Sequence, residues 1–226
     1  AYGTPPGHEL GWRGRYFWRP LLATGRLVET PAEIQGVIEQ FLDQSTLTSQ
    51  DAVVTGYDFL SDAARQIAND LGTTHGAAMV NDSLISDSWT AKQLGDAWPN
   101  RGTEAPDLAS INAHFEHWRL QPAVTSTTFL NTDIVNATAA LSGTIAWSMG
   151  CHAGYSVPDA DVLDGQTTPD FPQALAQKGA VWIANTGYGY GTDDGIAGSE
   201  RLMTLFTQAL DEADPMSIGE ALRLAK

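Results

Sequence analysis

Ser142-Gly143-Thr144-Ile145-Ala146-Trp147-Ser148-Met149-Gly150-Cys151-His152-Ala153-Gly154 is an apolar run that ends in small residues and carries the only cysteine of the chain. It reads as a buried strand whose carboxyl end presents one thiol. In open α/β sheets, active groups gather where parallel strands end and loops begin, so a cysteine framed by Gly150 and Gly154 at such an edge is a nucleophile candidate. The alternative is a small buried hydrophobe, the commonest state of a lone cysteine. The neighbours favour chemistry: both glycines let backbone approach a ligand closely, and His152, Ser148 and Ser156 make the surroundings polar.

Outward from this strand the chain alternates helices and strands. Thr30-Pro31-Ala32-Glu33 opens a helix, with a capping Thr, Pro at the first helical position and Glu three residues past the cap. Ile34, Val37, Ile38, Phe41 and Leu42 follow at helical spacing, which predicts a helix from Pro31 to Asp43. Asp51 to Leu60, rich in β-branched and aromatic residues, reads as a strand, and Ser61 then caps a helix through Ala64, Ile67, Ala68 and Leu71 that stops at Gly72. Ala77 to Ile85 is a weaker strand, Trp89 to Trp98 has helix-like spacing, and Asp107 to Phe115 is a strand preceded by Pro106. A polar stretch with turn residues separates it from the cysteine strand. Beyond Cys151 a Gly/Asp/Pro loop runs to Pro169, and Asp170 and Pro172 open a short helix closed by Gly179. Ala180 to Asn185 is another buried strand, running into Thr186-Gly187-Tyr188-Gly189-Tyr190-Gly191. A helix from Ser199 to Glu212 and one opened by Ser217-Ile218-Gly219-Glu220 end the sequence. This alternation implies an α/β fold, a mostly parallel sheet flanked by helices on both faces. Residues 1–20, Gly/Pro-rich with Trp12, Tyr16, Phe17 and Trp18, read as an irregular leader.

With 226 residues, the chain is long enough for one substantial core, so one domain over 1–226 is the expectation. No apolar run approaches the roughly 20 residues that span a bilayer, which excludes a membrane span. The net charge of −15, with 12 Lys and Arg, argues against nucleic acid and favours cationic substrates. One cysteine permits no internal disulfide, so the redox compartment stays open. The start at Ala1, with no Met, signal peptide or charged leader, is expected for a mature or excised piece of a larger parent.

Asn112-Ala113-His114-Phe115-Glu116-His117-Trp118 places two histidines at the end of the strand preceding Cys151. A thiol needs a base or a positive neighbour to become thiolate near neutrality, and a histidine on an adjacent strand tip supplies both. Either histidine is alternatively a satisfied polar loop residue. With the strand extended through His114, that side chain is expected to pack between sheet and covering helices, while His117 lies on the loop where a substrate can reach it. A zinc reading of His114-x-x-His117 is weak, because a strand points the two side chains to opposite faces. Gly187 to Gly191 lacks the lysine of a phosphate loop and reads better as tight turns with aromatic walls for a substrate side chain. Trp118, Gly150, Tyr188, Gly189 and Tyr190 are the candidate substrate-binding positions. Asp193 and Asp194 follow, either facing a basic group or simply solvated.

Gly25-Arg26-Leu27-Val28 before the capped helix, Ile111-Asn112 before the histidines, Trp147 to Gly154, and Gly179 to Gly191 running into Ser199-Glu200-Arg201-Leu202 together resemble the gingipain-type cysteine peptidases of the caspase-like clan. The resemblance covers most of the chain from about residue 20, and its specific part is the order His then Cys on successive strands. It implies a three-layer caspase-like fold and a secreted or cell-surface thiol protease of peptide or protein substrates, lacking cofactor and metal. It also implies Cys151 as nucleophile and a preference for basic residues before the scissile bond. The clan shows His-Gly where this chain has His114-Phe115 and His117-Trp118. Counted from Ile111-Asn112 and from Cys151, His117 fits the family position slightly better than His114. The missing Gly leaves open an inactive relative serving as a binding or scaffold domain of a larger parent chain, and another thiol hydrolase or acyltransferase is a third reading. By the same resemblance, family sequence including an early strand would precede Ala1.

Overall fold

The computed structural model describes residues 21–43, 50–73, 76–79, 82–210 and 216–226. The leader 1–20 therefore lies outside the described residues. Helix α1 (Pro31–Asp43) starts where its sequence says it should. The Thr30 hydroxyl accepts the Glu33 N–H at 3.3 Å and the Glu33 carboxylate accepts the Thr30 N–H at 2.8 Å, a reciprocal cap. Its apolar stripe is a correction: no residue of α1 is buried, and Ile38, Phe41 and Leu42 are exposed. The helix is held instead by polar contacts at one side, Glu33 accepting from Gln173 at 2.9 Å and from Gln177.

Strands β1 (Asp51–Val54), β2 (Ala78–Met79), β3 (Leu108–Ser110), β7 (Ile145–Ser148) and β8 (Val181–Ala184) form one sheet in the order β2-β1-β3-β7-β8, every neighbouring pair parallel. Successive side chains alternate between two cores, as the period of a strand requires. Ala52, Val54, Leu108, Ile145 and Trp147 face α2 (Ser61–Thr73), α6 (Gly198–Leu210) and α7 (Ile218–Ala225). Val53, Ala109 and Ala146 face the other way, toward α3 (Ala91–Ala97), α4 (Asn131–Val135) and α5 (Phe171–Gln177). The molecule is thus α/β, with a mostly parallel sheet covered by helices on both faces.

Several predicted elements are shorter than read. The strand expected over Asp51 to Leu60 ends at Val54. Gly56 sits against α2, where a Cβ would lie 2.4 Å from that of Ala64, and Asp58 takes a left-handed φ of 54°, so the chain turns away from the sheet. The weaker strand expected over Ala77 to Ile85 is reduced to β2, with Val80 and Asn81 outside the described residues, and Ile85 only bridges Gly56. The last buried strand is a half-buried edge, since β8 has no further neighbour among the described residues. The helix predicted to reach Glu212 is described to Leu210.

The strand expected from Asp107 to Phe115 is the consequential correction. It stops at Ser110, and His114 to Glu116 belong to β4 of a separate antiparallel sheet, β4 (His114–Glu116), β5 (Arg119–Gln121) and β6 (Phe129–Leu130). The break is chemical. The fully buried Asn112 amide donates to the Thr55 carbonyl at 3.0 Å, the Ser110 hydroxyl at 2.8 Å and the Ser110 carbonyl at 3.3 Å. Its carbonyl oxygen accepts the Met149 N–H at 3.3 Å. An amide that spends its groups on three strand ends cannot sit in a pleat, and the chain is free to leave the parallel sheet. Removing that amide orphans several buried groups at about 1–3 kcal/mol each. Asn112→Ala is expected to lower stability by about 2–4 kcal/mol, measured as a reduced urea midpoint with unchanged slope; a midpoint equal to wild type would contradict the account.

Candidate functional site

Every strand of the parallel sheet ends on the same side, and the loops leaving β1, β3, β7 and β8 meet there. Cys151 lies three residues beyond β7, on a turn. Two glycines make that turn possible. A Cβ on Gly150 would meet Phe115 Cδ2 at 2.6 Å and the Ala113 carbonyl at 2.8 Å, and one on Gly154 would meet the Ala184 carbonyl at 2.5 Å. The first contact presses β4 onto the cysteine turn; the second presses the turn onto the end of β8.

The loop after β8 clamps the turn. His152 N–H donates to the Gly187 carbonyl at 2.7 Å, Gly154 N–H to the Asn185 carbonyl at 2.8 Å, and the Asn185 amide to the Met149 carbonyl at 2.9 Å. Gly189 then lies over the thiol: its N–H donates to Cys151 Sγ at 3.3 Å, and Sγ faces its carbonyl at 3.7 Å. An N–H aimed at sulfur is the kind of partner that solvates a thiolate.

The two histidines lie where their hairpin puts them. His114, on β4, is exposed, its ring 5.7 Å from that of Tyr57 and 5.9 Å from that of Phe59. His117 and Trp118 are the two-residue turn between β4 and β5. The expectation of a packed His114 and an accessible His117 is reversed: His117 is half-buried and its Nε2 is buried without a hydrogen-bond partner. The reason is the hairpin, whose outward face carries His114 while its turn folds in toward the cysteine loop. The His117 ring meets Tyr155, four residues past the cysteine, edge-on at 5.9 Å. Among the described residues Sγ hydrogen-bonds to Gly189 and to no histidine nitrogen. The pair point to different surroundings, and no cluster of three or more metal-ligating side chains occurs among the described residues.

The other predicted positions surround the thiol unevenly. Gly150 and Gly189 touch its turn. Tyr188 and Tyr190 are exposed, with ring centroids 6.2 Å apart. Trp118 is half-buried under the Arg119 guanidinium, which lies 4.8 Å from its ring. Asp193 and Asp194 are exposed at the tip of a turn closed by the Thr192 hydroxyl donating to the Gly195 carbonyl at 2.9 Å, the solvated reading.

Sequence reasoning passed over His152 as a site member. It has a left-handed φ of 55°, its Nδ1 lies 3.2 Å from the Thr186 carbonyl, and its ring is 4.8 Å from that of Tyr188. His117, Tyr155, His152, Tyr188 and Tyr190 thereby form a continuous run of rings beside the thiol. Adjacency to Cys151 was the available signal. Glu200 was also missed. It is fully buried beneath Gly191, where its carboxylate accepts the N–H groups of Thr192 and Ala197 at 3.3 Å. Burial raises its carboxyl above the ordinary glutamate range, against the pull of those two donors, and its Oε1 has no partner. Nothing in its sequence surroundings separates it from a surface acid of α6.

No protein-family model matches the chain, and no curated protein matches it.

The clamp makes a differential prediction. A Cβ on Gly189 would lie 2.0 Å from the Met149 carbonyl, whereas one on Gly187 meets nothing within 4 Å. Gly189→Ala is therefore expected to cost roughly 1–3 kcal/mol, and Gly187→Ala to stay within about 0.5 kcal/mol of wild type, both read by thermal denaturation. Equal midpoints for the two variants would contradict the placement of this loop.

Proposed function

We propose that the chain is a cysteine endopeptidase-like hydrolase with a three-layer caspase-like fold, acting through Cys151 and His117. What carries the reading is one contact: Phe115 packs on Gly150, so the hairpin whose turn bears His117 is pressed against the turn that bears the thiol. The parallel sheet supports it, since the order histidine then cysteine follows successive neighbouring strands, β3 and β7. Histidine takes the Cys151 proton and the thiolate attacks a peptide carbonyl. The C–N bond breaks as the amine leaves with a proton from the imidazolium, and water then hydrolyses the thioester. The Cys151 N–H and the one following the catalytic histidine supply the oxyanion contacts. The Gly189 segment must lift from Sγ for a substrate carbonyl to approach. By the resemblance, this activity is proposed to act outside the cell or at its surface, on peptide or protein substrates, within a larger parent chain.

A second reading, a non-catalytic caspase-like domain that binds partners, is favoured by one observation: the hydrogen-bond partners of the thiol are both on Gly189, and neither is a histidine. Mutagenesis separates the two. On a labelled peptide mixture, Cys151→Ala is expected to abolish turnover while the half-buried position keeps the fold. His117→Ala is expected to lower kcat/KM by about two to four powers of ten, as loss of a general base does, and His114→Ala to stay within a few-fold of wild type. Full turnover by Cys151→Ala excludes the thiol mechanism, and a dead His114→Ala beside an active His117→Ala makes His114 the base.

A further inference from the structure

His117 is tied to the start of α5 as well as to the cysteine loop. The N–H of Phe171, the first residue of α5, donates to the His117 carbonyl at 2.8 Å. The residue before it is Asp170, 1% exposed, whose carboxylate caps α5 by accepting the Gln173 N–H at 2.9 Å. The other oxygen accepts the Val157 N–H at 2.7 Å, and the Ser156 side chain bonds to the same carboxylate. Tyr155, the residue before Ser156, is the one whose ring edges His117. One buried acid therefore fastens the helix start that holds the His117 backbone and the loop segment that walls its ring, while the His117 Nε2 has no partner of its own.

We propose that Asp170 is a positioning residue for His117: it fixes the imidazole against the cysteine loop and stabilises its protonated form when the thiol gives up a proton. The proposal rests on the peptidase reading, in which His117 is the base. An acid in that place favours the imidazolium by charge, and so favours the thiolate–imidazolium pair over the neutral pair. Burial raises the Asp170 carboxyl above the ordinary aspartate range, while the donors from Gln173, Val157 and Ser156 and the charge of His117 draw it down. Other titratable groups also face His117. Tyr155 meets it from the cysteine loop, and Glu116 meets it from β4. Glu116 is spoken for by Arg119 of β5 at 2.9 Å, a hydrogen bond that holds its carboxyl below the ordinary range against its partial burial. Asp170 is the acid that comes from the start of α5.

The single cysteine makes the test direct, because every alkylation event reports Cys151. The rate of modification by iodoacetamide is measured against pH for wild type, Asp170→Asn, His117→Ala and the double variant, each confirmed folded by circular dichroism. Both Asn and Ser retain a helix cap, so Asp170→Ser serves as the second charge-free variant where Asn fails to fold. The expected result is a rate roughly tenfold lower across the neutral range, where the thiolate–imidazolium pair supplies the thiolate, with the alkaline plateau unchanged. In the His117→Ala background the same substitution is expected to change nothing. Neutral-range reactivity that His117→Ala lowers and neither Asp170 variant lowers overturns the positioning role and leaves the dyad standing. Neutral-range reactivity that His117→Ala itself fails to lower overturns the dyad, and this proposal with it.

Discussion

The buried Asn112 amide is the interaction on which the rest of the architecture turns. It sits where the sheet changes direction, between the ends of β1 and β3, and reaches across to the chain leaving β7. Three strand ends are thereby joined by donors and acceptors that water cannot replace, in a region where an unpaired polar group is costly. Because the amide stops β3 at Ser110, the chain is released to form the hairpin of β4 and β5. That hairpin carries both histidines, and it settles on the cysteine turn only because Gly150 leaves room for Phe115. One polar side chain and one missing Cβ therefore set the relation between the two halves of the candidate dyad.

The loop beyond β8 adds a second constraint of the same kind. Gly189 lies against the Met149 carbonyl, and its peptide group brackets the thiol from both N–H and carbonyl. On the proposed peptidase reading, a loop in that position both protects the nucleophile and occupies the space a substrate needs. Glu200 anchors the far end of the loop with a buried carboxyl group, so movement over the thiol is opposed by the loss of two hydrogen bonds. Exposed Tyr188 and Tyr190 flank Gly189 on this loop.

Much of the fold was legible. Caps announced α1, α5 and α7 because Thr30, Asp170 and Ser217 each accept the N–H three residues on, a property of local sequence. The Cys151 strand was readable as an unbroken apolar run buried on both faces. What escaped was decided at a distance. The end of β1 depends on Gly56 meeting Ala64, and the end of β3 on Asn112 meeting Thr55 and Met149, contacts between segments that sequence order does not bring together. The small antiparallel sheet escaped because its strands are three residues or fewer and β4 and β5 mix polar with apolar side chains. The same limit inverted the exposure of the histidines: alternation along a strand was extrapolated through a residue where the strand no longer exists. His117 keeps its candidacy for a reason only the fold supplies, its contact with Tyr155 from the cysteine loop.

The central claim is that Cys151 forms a covalent acyl intermediate with a peptide. Its most direct test is to mix the protein with an ester-activated peptide library, quench in acid within milliseconds to seconds, and map the adduct by mass spectrometry. The account predicts a transient acyl mass on the peptide containing Cys151, decaying as free acid appears. Unmodified Cys151 at every time point, with the library intact, would contradict it.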